Sequence, residues 1–149
     1  MVIQHIQQEG QHNIKVVVTS APNDPRAIKI VDQLKTIDGK LIAYEPGTVT
    51  HRILPYNDVL FIEIHTQRCW IHCSGGIELE SPQRLYELEE SLARTEFIRI
   101  SKQVIVNFDK VLRIRPEFNR RLMLELEDGT QLLVTRSYVP EIKRRLSML

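Results

Sequence analysis

Apolar positions change their rhythm twice along this 149-residue chain. Residues 14–20 (IKVVVTS) form a β-branched run that reads as a buried strand. Over residues 22–37, Ile28, Val31 and Leu34 recur at helical spacing, with Ile30 and Ile37 beside them and Asp24 and Pro25 near the start. That spacing predicts an amphipathic helix of about three turns. Asp38-Gly39 should stop it, as a helix end or a tight turn, and residues 40–44 (KLIAY) return to strand character. The result is a small β-α-β unit over residues 1–47, closed by Glu45-Pro46-Gly47. A unit of that size has too little core to stand alone and is expected to pack on the rest of the chain.

From Thr48 the spacing shortens to strands separated by a few polar or turn-forming residues. Residues 48–54, 59–65 and 68–74 read as strands, punctuated by Pro55-Tyr56-Asn57-Asp58, Thr66-Gln67 and Gly75-Gly76, with 77–80 as a short edge-like piece. Ser81-Pro82 predicts a helix start, Ser as N-cap and Pro at the first helical position, with Leu85, Leu88 and Leu92 on one face. Glu87, Glu89 and Glu90 then form its solvated face. Residues 97–100, 104–106 and 111–114 are further strands. Residues 121–127 and 130–135 alternate around Asp128-Gly129, the strongest hairpin signal in the chain. A last helix is expected over residues 138–146, apolar at Val139, Ile142 and Leu146. The fold class is therefore mainly β, α+β overall: a β-strand domain with short helices over residues 48–149, preceded by the β-α-β leader.

Composition changes this picture little. Hydrophobic residues make up 42% and charged residues 26%, enough apolar surface for a core. No stretch approaches the roughly 18 consecutive apolar residues that span a bilayer. The N-terminus lacks a basic segment leading into an apolar run. The expectation is a cytoplasmic protein that does not insert into membranes.

Net charge is only +1, but its distribution is uneven. Residues 1–45 balance five basic against five acidic side chains, residues 46–96 carry four against eight, and residues 97–149 carry eleven against six. A basic final third is what a phosphate-contacting surface needs, because each Lys or Arg that meets a phosphate releases counterions. A solvated face with excess arginine has the same composition.

Candidate chemistry narrows quickly. His65, Cys69, His72 and Cys73 fall within nine positions and invite a zinc reading. In an extended strand, however, Cys69 and Cys73 share a face about 13 Å apart, while His72 points the other way. Zinc ligands must converge to about 2.0–2.3 Å from the metal, and a disulfide needs Cα atoms within about 7 Å. Two buried, inert thiols fit better, and neither metal nor cofactor is expected. There is no nucleophile elbow, no glycine-rich phosphate loop and no helical histidine pair, so the chain is not expected to be an enzyme. Residues 97–107 (FIRISKQVIVN) are more informative. Ser101-Lys102-Gln103 interrupts two apolar strands and must form an exposed bend. Lys and Arg suit phosphates or guanine, Gln suits adenine, and Ser suits either; an ordinary polar turn has the same spacing.

At these residues the sequence resembles the LytTR DNA-binding domain family. Residues 97–107, together with 111–114, are similar to the family's F-x-R, short polar stretch, apolar triplet and Asn. Asp58-Val59-Leu60-Phe61-Ile62-Glu63 resembles its opening strand, and Leu85-Tyr86-Glu87-Leu88-Glu89 its acidic helix. Residues 124–126, Asp128-Gly129 and Val134-Thr135-Arg136-Ser137-Tyr138 resemble its ending, with Thr135 where Ser is usual. The resemblance covers residues 48–149. It implies a β-rich transcription regulator that reads double-stranded DNA through loops, as a homodimer or side-by-side pair on direct repeats. It implies contacts from the turn Thr66-Gln67-Arg68, from Arg99, Ser101, Lys102 and Gln103, and from Arg136. Asn107 belongs to the motif either as a contact or as the residue that closes the turn. Phe97, Ile105 and Leu124 should be core. Most such proteins carry a receiver domain; a leader of this length is too short for one, which places the chain with receiver-free members, often accompanied by a small membrane protein that restrains them. Two other functions stand beside this one: a protein-interaction module whose leader docks onto a partner, and a small-molecule or metal sensor built on the Cys/His hairpin.

Overall fold

The computed structural model describes residues 1–37 and 39–147, with residues 35–37 described by their backbone. Among the described residues ten strands form two antiparallel sheets. The larger contains β1 (Lys40–Tyr44), β2 (His51–Pro55), β3 (Val59–His65), β4 (Arg68–Cys73), β5 (Glu78–Glu80), β6 (Phe97–Arg99) and β7 (Val104–Asn107). Its spatial order is β2-β1-β5-β4-β3-β7-β6. The smaller is the meander β8 (Val111–Glu117), β9 (Arg121–Leu126) and β10 (Gln131–Val134). Accompanying them are the α-helices α1 (Pro25–Ile37), α2 (Leu85–Ser91) and α3 (Val139–Arg145).

A single turn, Tyr56–Asp58, carries the chain from β2 to β3, although β3 lies four places away in the sheet. Four strand spacings in a flat sheet would be about 19 Å, more than four residues can span at about 3.3 Å each. The sheet must therefore roll until the end of β2 approaches the start of β3. Asn107 fastens that closure. Its side chain is buried, donating to the carbonyls of Tyr56 (3.1 Å) and Val59 (2.9 Å) while accepting from the Asp109 amide (3.1 Å).

Rolling gives the sheet two cores, one on each face. Leu41, Leu54, Val59, Ile62, Ile71 and Leu79 enclose Leu85, Leu88 and Leu92 from α2 and the residue after it. On the opposite face Leu60, Phe61, Ile98 and Val106 pack beneath Leu122, Leu124 and Leu126 of the meander and Val139 and Ile142 of α3. Alternation lets β3 serve both cores, and a bulge between Val59 and Phe61 turns the consecutive Leu60 and Phe61 into the same one. Each such side chain removed from water stabilises the fold by about 1.5–3 kcal/mol. Phe97, Ile105 and Leu124 are core, as the family resemblance implies.

The leader departs from expectation. Residues 14–20 form no strand: Ile14, Val16 and Val17 are 96%, 59% and 72% exposed. The topology gives the reason. A β-α-β unit would seat its first strand beside β1, but β1 already pairs with β2 and with β5 (Tyr44 opposite Glu80). The leader's second strand is thus an integral member of the larger sheet. α1 forms where its spacing predicts, capped by Asp24, whose carboxylate accepts from the Arg26 amide (2.9 Å). Ile30 and Leu34 face Tyr56 and Phe97 across a cleft, whereas Ile28 is exposed. Asp38 and the side chain of Ile37, both part of the expected helix end, lie outside the described residues. The Gly39 carbonyl accepts from the Tyr56 amide (3.0 Å), and a Cβ at Gly39 would clash with Cε2 of the Tyr56 ring.

The α2 start also differs. Ser81 and Pro82 precede the helix rather than begin it. The Ser81 hydroxyl accepts from the Gln83 amide (3.0 Å), closing a local turn instead of capping. Arg84 is extended, and Glu87 reaches back to its amide (3.2 Å), so the helix begins at Leu85.

Candidate nucleic-acid interface

The β3–β4 hairpin turns in two residues, since His65 pairs with Arg68. Thr66 and Gln67 both have positive φ, 50° and 63°, the geometry that two-residue hairpins favour and that Asn-Gly usually fills. An L-residue in that region costs about 1–2 kcal/mol. Hydrogen bonds to the His65 carbonyl, from the Thr66 hydroxyl (2.7 Å) and the Trp70 indole (3.2 Å), hold the turn. Thr66, Gln67 and Arg68 are exposed, and Arg68 leans toward Glu80 (3.7 Å).

The bend between β6 and β7 is organised from inside. The Arg99 guanidinium folds back over it, donating to the carbonyls of Ser101 (2.7 Å) and Lys102 (2.5 Å), and lies 3.5 Å from Glu89 of α2. Its side chain is only 17% exposed. Ser101 is buried, and its hydroxyl accepts from the Gln103 amide (3.2 Å). Lys102 and Gln103 project outward. The four residues that the sequence groups as one contact surface thus separate into two that shape the bend, Arg99 and Ser101, and two that it presents.

Arg136 opens the turn Arg136–Tyr138 and is exposed. Among the described residues neither Lys102 nor Arg136 makes an ion pair, so both charges are free for a ligand.

Backbone hydrogen bonds stitch these segments together. The Ile64 amide donates to the Gln103 carbonyl (2.8 Å), tying the first hairpin to the bend. The Thr135 amide donates to the Ile100 carbonyl (3.0 Å), and its hydroxyl reaches the same oxygen (3.5 Å). Val134 pairs with Leu122, which brings the β8–β9 tip, Phe118–Arg120, to the same end of the molecule. Periodicity assigns no element to that tip; the tolerance of Asn119 for the left-handed region is the one signal the sequence offers there. Asn107, by contrast, is buried at the sheet closure and away from this end. Lys110, which no sequence pattern singles out, is also internal, bound to Asn57 (3.2 Å) and Glu127 (3.2 Å).

The Cys/His strand has the geometry expected of an unbroken strand. Cys69 and Cys73 are buried on one face, and burial pushes both thiols above their ordinary pKa. His72 points to the other face, stacked on Phe61 at 4.2 Å and held by Glu63 (2.8 Å) and Glu78 (3.4 Å). Among the described residues no group of three or more His, Cys, Asp and Glu converges on a metal position.

A family model described as the LytTr DNA-binding domain matches residues 50–147. The chain belongs to this family. The match takes in β2 through α3 and every segment of the stitched surface. Among LytTr relatives, the transcriptional regulatory protein LytR of Staphylococcus aureus is 27% identical over 135 residues, which are 91% of this chain and 54% of that protein. The sensory transduction protein LytT of Enterococcus faecalis is 38% identical over 64 residues, 43% of this chain and 26% of that protein. The chain thus spans about half or less of the length of these relatives. A solved LytTr DNA-binding domain from Bacillus cereus superposes with a TM-score of 0.65 at 22% identity, covering 72% of this chain and 98% of that one. That likeness supports the mainly β fold read from the sequence.

Proposed function

We propose that this chain is a sequence-specific, non-catalytic transcription regulator that meets duplex DNA with the end formed by the β3–β4 turn, the β6–β7 bend and Arg136. One observation carries the reading: three segments distant in sequence are joined by main-chain hydrogen bonds into a single edge, and that edge presents Gln67, Lys102, Gln103 and Arg136 outward. Lys102, Arg136 and Arg68 supply cations for phosphates or guanine, while Gln67 and Gln103 can pair with adenine. Arg99 and Ser101 act as positioning residues that set the height and direction of Lys102 and Gln103. Such work belongs where the DNA is, in the cytoplasm; among the described residues no helix is long and apolar enough to cross a membrane.

The test is selection of duplexes from a random pool by the full chain, then affinity measurement across a salt series. Lys102→Ala and Arg136→Ala should each weaken binding at least tenfold and lower the salt slope by about one, with thermal stability unchanged. Wild-type binding in both variants sinks the assignment.

Association of two copies on direct repeats is the second part of the proposal. It is supported by the β-branched run at residues 14–20, where Ile14, Val16 and Val17 are left exposed among the described residues. Deleting residues 1–20 should leave DNA binding to a single site intact and lower the stoichiometry on paired sites, read by sedimentation. A truncation at residue 48 would be uninformative, because it removes β1 from the sheet.

A further inference from the structure

The β8–β9 tip carries an anomaly that the hairpin turn, the bend and Arg136 do not explain. Of the four phenylalanines, Phe61 and Phe97 are buried and Phe108 packs against the second core. Phe118 is 83% exposed. The two residues beside it, Asn119 and Arg120, both have positive φ, 60° and 58°. The Arg121 guanidinium donates to the Phe118 carbonyl (2.9 Å), fixing the turn in this form. Arg120 is exposed, and among the described residues it makes no ion pair. The two left-handed residues close the hairpin, as Thr66 and Gln67 close theirs, but a bare ring held out in water brings nothing to the fold. The ring is intelligible if a ligand covers the tip.

The topology says which ligand. Thr135 and Arg136 come directly after β10, Phe118–Arg120 directly before β9, and Val134 pairs with Leu122. The tip is therefore the next segment along the edge that runs from Gln67 through Lys102 to Arg136. It is narrow, being only one hairpin wide, and Arg120 and Arg121 follow the ring within three positions. A protruding apolar side chain with cations beside it is the form taken by side chains that wedge between base steps while neighbouring charges hold the phosphates.

We propose that the Phe118–Arg120 tip is a fourth DNA-contacting element, in which the Phe118 ring wedges against a base step and Arg120 holds the adjacent phosphate, so that binding bends the duplex. This rests on the DNA-binding reading, and the experiment separates the two. Duplexes selected by the wild-type chain are labelled at both ends with a fluorescent donor and acceptor. Affinity and end-to-end transfer are then measured for wild type, Phe118→Ala, Phe118→Leu and Lys102→Ala. Wild type should raise the transfer efficiency. Phe118→Ala should keep the wild-type melting temperature, since the ring touches no core, yet lose the change in transfer and bind roughly ten- to a hundredfold more weakly, the range of one specific contact. Phe118→Leu, still an apolar wedge, should restore most of the bend. If Phe118→Ala binds and bends as wild type while Lys102→Ala fails to bind, the wedge is wrong and the interface stands. A wild-type chain that selects no duplex overturns the interface and the wedge together. A Phe118→Ala variant that changes only the oligomeric state assigns the ring to a protein contact and overturns the proposal.

Discussion

The β6–β7 bend and the β8–β9 tip lie at the same end of the molecule and invert the usual placement of residue types. At the bend, the polar side chains Arg99 and Ser101 turn inward. At the tip, the apolar side chain Phe118 turns outward. In each case the side chain's environment, more than its chemistry, decides its role. Arg99 is implied as a contact by the family resemblance, yet its guanidinium binds the carbonyls of its own bend as a brace; Phe118, which the sequence pattern places in no element, stands in water. At the bend one arginine, Arg99, binds two carbonyls and the Ser101 hydroxyl accepts from an amide, whereas at the tip Arg121 binds a single carbonyl.

The largest effect expected from breaking this contrast is at the brace. Arg99→Ala leaves the carbonyls of Ser101 and Lys102 without their donors and should lower stability by about 2–3 kcal/mol in denaturant titrations. DNA binding should fall with it, even at temperatures where the variant remains folded. Arg99→Lys cannot bridge two carbonyls with one planar fork and should recover only part of the loss. Wild-type stability for Arg99→Ala would show that the bend holds itself. A smaller effect of opposite sign is expected at the tip. Arg120→Gly removes a side chain from a positive φ, where strain of about 1–2 kcal/mol outweighs glycine's entropic penalty of about 0.5–1 kcal/mol. The melting temperature should rise slightly while DNA affinity drops, a split that no residue of the bend should produce. The smallest effect is a control far from both. The Arg26 side chain hydrogen-bonds the Asp24 carboxylate and holds its pKa below the ordinary value. The cap on α1 is therefore fully present at neutral pH and is lost as pH falls through that depressed pKa. Asp24→Ala should remove this acid-range loss of helical signal in circular dichroism and leave DNA binding unchanged.

Much of the fold is legible in the sequence because it depends on local rules. Strand periodicity locates nearly every strand, and Asp128-Gly129 marks its hairpin, where Gly129 takes φ 90° and Asp128 binds the Thr130 amide (3.0 Å). The departures share a cause: the sequence pattern does not show which partner a group will find. Residues 14–20 have strand propensity, but propensity cannot show that both edges of β1 are already taken. Ser81 has the right chemistry for a cap, yet its hydroxyl meets the Gln83 amide ahead of the helix. At the candidate site, the segment is legible and the direction of its side chains is not. Alternation along a strand places Arg99 on a face, but a long side chain can fold back, and only the positions of two carbonyls and Glu89 reveal that it does. Phe118 escapes notice because periodicity assigns no element to its segment and cannot show which way a loop side chain points.

Asn107 bears on the order in which the chain folds. Its amide joins carbonyls 51 and 48 residues away, so its bonds cannot form until a loop of that length has closed. Neighbouring hairpins such as β3–β4 need close only a two-residue turn, and the entropy of closure grows with loop length. Rolling of the larger sheet is therefore expected late on the folding path, after the hairpins have formed. An Asn107→Ala chain should accelerate unfolding far more than it slows refolding, giving this residue a low φ-value although it fastens the connection between β2 and β3.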